Sequence, residues 1–549
     1  MLRLAAEKRP DQLAVAFPAQ GIAKSYQEFL RDVETCASGM LSLGLKKGQS
    51  VGMWGPNNYE WVLVQFASAM AGLILVCINP GYRANEMRYC LEKFEPSAIV
   101  AAPRFKTSDY YQILTDVCPD MPSTEPGEPH RNTFPNLRHI VMLGDDKRKG
   151  TISFSDMLNA SNAESQQLLT KVEKEVQSDE PINIQLTSGT TGRPKGATLS
   201  HHNILNNAYF HGIRLGYHEQ APIICSCTPL YHCMGCVLGS LAAVVHGGAA
   251  VFPSYTFEPL ATLQAIETYG CTSIVATPTM YIDVLNHSRF KEFNEVRVAN
   301  SGFMAGAPCP IEVCKACIND LHVTDLTIGY GTTENSPVTF QCKRDDPFED
   351  RVTTVGHVAD HTEAKIVDPK GRVVPRGEKG ELLIRGYCVM LEYWRDVDKT
   401  DEVIAKDRWY WTGDLAVMRA DGMVEIVGRS KDMIIRGGEN IYPKEIEDAF
   451  FTNPKVADVH VIGVPDERMG EELCAWVRLR DGETSSDKEL KEYFKEKIAH
   501  FKIPRYILIK KESEFPLTVT GKVQKNKIRE ISTKELNLPT QKAPVFAAE

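Results

Sequence analysis

Thr187-Ser188-Gly189-Thr190-Thr191-Gly192-Arg193-Pro194-Lys195-Gly196 is the stretch whose reading decides the fold. It follows an apolar, strand-like run at 182–186. Its glycines let the main chain approach a ligand closely, and its hydroxyls and amides suit a phosphate-sized nest. Arg193 and Lys195 add positive charge. A Walker A loop places four residues between its two glycines and a Ser or Thr after its lysine. Here Gly189 and Gly192 stand too close, Gly196 follows the lysine, and Pro194 stops a helix from running through. The stretch therefore reads as a phosphate loop on an α/β layer, distinct from that of P-loop NTPases.

Upstream, helix and strand alternate: a helix over 25–43 closed by Gly44, a strand over 50–54, a helix over 59–71, a strand over 73–78, a helix over 85–94 and a strand over 98–102. Such alternation predicts a layered α/β unit with a largely parallel sheet. Pro122, Pro126, Gly127, Pro129 and Pro135 make 120–136 a loop, and 164–177 reads as a solvated helix. The α/β pattern resumes over 182–328. After His357 it gives way to strands and turns at 364–367, 368–371, 372–374 and 380–384, a β-rich subdomain. A boundary falls near 429–432, and residues after about 536 read as a loose tail.

The chain has 549 residues, enough for two to four structural units. Hydrophobic residues make up 43% and charged residues 24%, which excludes a disordered chain, a collagen and a small disulfide scaffold. A net charge of −9 argues against wholesale nucleic-acid binding. All of it lies before residue 431, because residues 431–549 carry 21 basic and 21 acidic side chains. Within that part 497–529 is locally basic and reads as a solvated surface. Fifteen cysteines are too sparse for a disulfide framework and point to a reducing compartment. The pairs Cys225/Cys227, Cys233/Cys236 and Cys314/Cys317 have zinc-like spacings but read as buried thiols on a strand, a turn and a helix. The apolar run 61–78 reaches the lower limit for a membrane span, yet reads as a buried helix, a short strand and an Asn79-Pro80-Gly81 turn. No targeting segment or peroxisomal tripeptide is visible.

The phosphate loop resembles the signature of the adenylate-forming, AMP-binding superfamily, and four more motifs follow in the family's order. Tyr330-Gly331-Thr332-Thr333-Glu334 is similar to its adenine and magnesium motif, and Tyr410-Trp411-Thr412-Gly413-Asp414 to its ribose motif. Gly428-Arg429-Ser430-Lys431-Asp432 resembles the hinge, continued by Gly437-Gly438-Glu439-Asn440 and Glu445-Ile446-Glu447. Pro516 to Lys522 resembles the loop of the catalytic lysine.

The resemblance implies an α/β fold: a large multi-subdomain N-terminal domain over 1–428, a hinge at 429–433, a small mobile α+β domain over 434–535, and a tail over 536–549. It implies an ATP-dependent acid–CoA ligase that uses ATP, Mg²⁺ and coenzyme A and passes through an acyl-adenylate. Its partners would be small molecules, a carboxylic acid among them, with no nucleic acid and no transmembrane segment. Lys522 would stabilise charge at the α-phosphate. Residues 187–195, Tyr330, Thr333, Asp414 and Arg429 would hold the nucleotide, Glu334 the magnesium, and Gly437, Gly438 and Glu439 would line the path of CoA. Some family members carry Arg at the position of Asn440, a departure that leaves a phosphate contact there open. His232, in Thr228-Pro229-Leu230-Tyr231-His232, would face the substrate carboxylate. No acidic residue lies between Leu230 and Leu241, so an amino-acid substrate is disfavoured.

The wording of 329–340 and 427–443 is nearest to medium-chain acyl-CoA ligases of mitochondria, which implies a medium-chain acid and that compartment. Cys233–Gly239 and 301–306 read as the walls of an alkyl tunnel, with Phe303 or Met304 setting its length. Relatives already have sequence where this chain begins, leaving room for a preceding presequence. Aryl or other carboxylic acid–CoA ligases, a luciferase-like oxygenase, a ligase for another acceptor and a non-catalytic nucleotide binder are the rival readings.

Overall fold

The structure is a computed structural model. It describes residues 1–538 except 129–132, 189–193, 294–300, 308, 430–431, 437–438, 467, 496–497, 499 and 519–521; of residues 188, 439 and 440 only the main chain is described.

Three main sheets carry the residues up to Arg429. In one, Pro181–Ser188, Ile74–Ile78, Ser50–Trp54, Ala98–Ala101, His139–Met142 and Ile152–Ser153 run parallel. Pro194–Ser200 turns back antiparallel on Pro181–Ser188, and the short strand Glu392–Tyr393 closes that edge. The second sheet has a parallel centre of Leu13–Phe17, Ala249–Val251, Ile223–Ser226, Ser273–Ala276, Ser301–Met304 and Asp325–Tyr330. The third is antiparallel: Thr362–Val367, Lys379–Gly386, Tyr410–Met418 and Val424–Arg429.

Local chemistry places the helices. Ser25 and Glu28 form a reciprocal capping box at the start of Tyr26–Ser42. Asn58 accepts from Trp61 N at 2.9 Å and starts Tyr59–Met70. The apolar run 61–78 divides as read: helix to Met70, then the fully buried strand Ile74–Ile78. Asn79 turns the chain by accepting from Gly81 N at 2.8 Å. No described helix is long and apolar enough to cross a membrane.

Beyond Arg429 a separate sheet begins at Ile434, with helices Pro443–Phe451, Asp487–Phe494 and Lys525–Glu535 around it. It has its own core, which includes Ile434, Ile446, Phe450, Val461, Leu473 and Phe494. In the basic stretch, Lys502, Arg505, Lys510, Lys525 and Arg529 each pair with a carboxylate of the same domain. That agrees with a solvated, self-neutralised surface.

Candidate active site

Glu334 sits on a turn held from one side. At Gly331 an added Cβ would lie 1.8 Å from Pro337 O, so only glycine lets the chain double back here. Helix His201–Arg214, entered directly from strand Pro194–Ser200, grips the turn and the chain after it. Its buried side is polar: Asn203, Asn207, His211 and Arg214 recur at helical spacing. Asn207 Nδ2 donates to Val338 O at 2.7 Å, and its Oδ1 accepts from Val338 N at 3.1 Å. His211 Nδ1 and Gln341 Oε1 are 3.0 Å apart. Arg214 donates to Gln341 O and His357 O, both at 2.7 Å. Burial keeps His211 neutral, with its pKa pushed down to about 3.

Residues around Glu334 join two distant motifs. Met390 N donates to Glu334 O at 2.8 Å, and Trp394 N donates to Gly196 O at 2.7 Å. Between them Tyr393 OH donates to Glu334 Oε1 at 2.7 Å. Lys195 Nζ lies 3.9 Å from the centre of the same tyrosine ring. Burial lowers the Lys195 pKa, and Glu334 opposes that shift. Pro194 O accepts from Tyr89 OH at 3.1 Å. Thr187 Oγ1 is buried and makes no hydrogen bond among the described residues. Gly189, Thr190, Thr191, Gly192, Arg193 and the Ser188 side chain lie outside the described residues. An unpartnered hydroxyl, an ammonium and a carboxylate with one oxygen engaged by tyrosine form a donor set that fits a nucleotide phosphate with Mg²⁺.

Asp414 and Arg429 face each other across neighbouring strands, with Asp414 Oδ1 3.3 Å from Arg429 Nε. Tyr330 OH donates to Asp414 Oδ2 at 2.5 Å, so Tyr330 is tied to the ribose-motif carboxylate. Burial, then Asp414, pushes the Tyr330 pKa up and keeps it a donor.

His232 is held by a clamp that the sequence reading missed. Asn57 accepts from Leu230 N at 2.8 Å and donates to Thr228 O at 3.3 Å. His232 Nδ1 accepts from Met234 N at 3.2 Å. Burial, and then the positive charge of Lys522, lowers the His232 pKa to about 4. The charge of the small-domain lysine is thus felt at the large-domain histidine. Its loop is closed by Lys522 N donating to Thr518 Oγ1 at 3.0 Å and Gln524 N to Pro516 O at 2.8 Å. Cys233 Sγ lies 3.9 Å from Thr333 Oγ1, bringing the His232 turn beside the Glu334 turn. Burial raises the Cys233 pKa. Lys431, Gly437, Gly438 and the Glu439 side chain lie outside the described residues.

Phe303 and Met304, both read as acyl-wall residues, do not share a face. Strand alternation splits Ser301–Met304 between two faces. Phe303 and Ala305 pack in the cluster that holds Cys233, Met234, Cys236, Val237 and Leu238. Met304 packs in the other cluster, and an added Cβ at Gly302 would meet Val323 at 2.4 Å. Phe303, edge-on to His211 with centroids 4.6 Å apart, therefore faces helix His201–Arg214, and Met304, with its sulfur 4.0 Å from Cys314 Sγ, faces the other way. Met234–Leu241 is a π-helix that is buried throughout. Its Cys236 O takes Gln65 Nε2 at 2.9 Å and Ser240 Oγ at 2.8 Å, satisfying a carbonyl that the wide turn loosens. All fifteen cysteines are free thiols, and among the described residues no group of three or more His, Cys, Asp or Glu could hold a metal ion.

Residues 2–394 match the AMP-binding enzyme family, and residues 445–522, ending on Lys522, match the AMP-binding enzyme C-terminal domain. The chain belongs to the AMP-binding enzyme family. This AMP-binding enzyme is 49% identical over 539 residues to the medium-chain acyl-CoA ligase ACSF2, mitochondrial, of Danio rerio, across 98% of this chain and 88% of that one. It is 40% identical over 543 residues to YngI of Bacillus subtilis (strain 168), across 98% and 97%. Its fold is similar to that of the anthranilate CoA ligase AuaEII, solved with anthranoyl-AMP, at a TM-score of 0.86 and 25% identity, covering 98% and 97% of the two chains. The resemblance read from five ordered motifs, and the fold it implied, are borne out.

Proposed function

We propose that this AMP-binding enzyme acts on medium-chain fatty acids and that Lys522, Glu334 and His232 are its catalytic centre. The reaction class is AMP-forming fatty acid–CoA ligation: acid, ATP and CoA give acyl-CoA, AMP and pyrophosphate through an acyl-adenylate. Lys522 stabilises the charge that builds as the carboxylate oxygen attacks the α-phosphorus. Neutral His232, whose Nδ1 accepts from Met234 N, orients that carboxylate by donating from Nε2. Asp414 and Arg429 hold the ribose, with Tyr330 and Thr333 beside the base, while residues 187–195 hold the outgoing phosphates. Mg²⁺, held at Glu334, would offset phosphate charge. Residues 437–439 would admit the pantetheine arm after the small domain, 434–535, turns about 429–433 on the large one, 1–428. The proposed compartment is the mitochondrion, tested by fractionation of source cells; the name of the Danio rerio relative supports it.

The observation that carries this reading is the closeness of the His232 turn to the Glu334 turn, with Cys233 Sγ 3.9 Å from Thr333 Oγ1. Each methylene buried in an apolar acyl site would add roughly 0.8 kcal/mol until that site is full. The test is kcat/KM for acids from acetate to palmitate, with benzoate alongside. A maximum near octanoate to decanoate supports the reading. A maximum at acetate, benzoate or palmitate rejects it.

A further inference from the structure

Tyr393 lies outside the five motifs, yet its side chain touches two of them. Its hydroxyl takes Glu334 Oε1 at 2.7 Å, and its face takes Lys195 Nζ at 3.9 Å. The residue is 2% exposed. Its main chain is fixed on three sides. It pairs with Ala197 in the strand leaving the phosphate loop, its N donates to Thr400 Oγ1 at 3.0 Å, and its neighbour Trp394 N donates to Gly196 O at 2.7 Å. Burial and then Glu334 push its phenol pKa well up, so it donates at any pH the protein meets.

A bare carboxylate beside a part-buried ammonium would collapse onto it. One ring prevents this by giving each charge its own partner: a hydroxyl for the carboxylate and a π face for the ammonium. No described hydrogen bond uses the other oxygen, Glu334 Oε2. We propose that Tyr393 is a positioning residue that keeps Glu334 turned for metal binding and keeps Lys195 from neutralising it. This rests on reading Glu334 as the Mg²⁺ carboxylate. Hydrogen-bond partners behind a metal ligand commonly change metal affinity by roughly 10–100-fold when removed.

The test measures Mn²⁺ binding by electron paramagnetic resonance to the full chain saturated with α,β-methylene-ATP. Wild type, Tyr393→Phe and Glu334→Gln are compared, with melting temperature and nucleotide affinity in EDTA measured alongside. Tyr393→Phe keeps the ring and the packing. It should weaken Mn²⁺ roughly tenfold or more while leaving metal-free nucleotide affinity and melting unchanged. Wild-type Mn²⁺ affinity in Tyr393→Phe overturns the proposal, and if Glu334→Gln is weakened in the same experiment the metal reading survives. Wild-type affinity in Glu334→Gln overturns both. Equal loss of nucleotide and Mn²⁺ affinity in Tyr393→Phe means a loosened fold and also overturns it.

Discussion

Replacing Asn207 by alanine should loosen the Glu334 turn without unfolding the chain. Asn207 is 1% exposed and Val338 5%, so water does not reach their hydrogen bonds in the folded state. The alanine side chain leaves Val338 O without its 2.7 Å donor and Val338 N without its 3.1 Å acceptor. A buried main-chain group left unpaired costs about 1–3 kcal/mol. Water entering the space left by the amide recovers part of that, which sets the net at about 2–4 kcal/mol. Each 1.4 kcal/mol is a factor of ten, so local opening should become about 30- to several-hundredfold more frequent. Hydrogen exchange followed by mass spectrometry on peptides covering 333–341 reads this directly. Pyrophosphate release should slow as well. Exchange in 333–341 within threefold of wild type, in a folded Asn207→Ala protein, would refute the idea that this side chain holds the turn.

Lys522→Ala should lower adenylate formation by about 10²–10³ while thioester formation from supplied acyl-adenylate persists; equal losses in both half-reactions would refute that division. His211, depressed to about 3, should make the fold acid-sensitive. The unfolded chain takes up this proton first, near pH 6.5, so stability is full above that pH and is lost as pH falls toward about 3, at about 1.4 kcal/mol per pH unit. Half-buried Asp283, pushed up to about 6, works the opposite way, so the useful quantity is the urea-unfolding difference between wild type and His211→Asn at pH 6 and 5. An unchanged difference would show that His211 is not buried neutral.

Hydrophobic alternation and ordered motifs were enough to read the α/β layers and the family, because both are local in sequence. The helix ends illustrate this: 25–43 became Tyr26–Ser42 and 85–94 became Ala84–Phe94. Three features were not legible. Asn203, Asn207, His211 and Arg214 have the spacing of a solvated helix face, yet their partners, main-chain groups and the Gln341 side chain, lie more than a hundred residues away. Tyr393 reaches Glu334 only because a two-residue strand closes a sheet edge. Which of Phe303 and Met304 faces helix His201–Arg214 depends on strand phase, which the small residues around them obscured.

The burial of Cys233 has a consequence for where the acyl group ends up. An acyl-adenylate acylates any thiolate it meets, and Cys233 stands beside His232, with its sulfur 3.8 Å from Nδ1. Such a pair elsewhere makes a nucleophile. Here Nδ1 is already occupied by Met234 N, and burial pushes the thiol pKa up rather than down. Burial raises Cys236 as well. Both thiols therefore stay protonated, so an enzyme built to make thioesters is protected from making one with the cysteines beside His232.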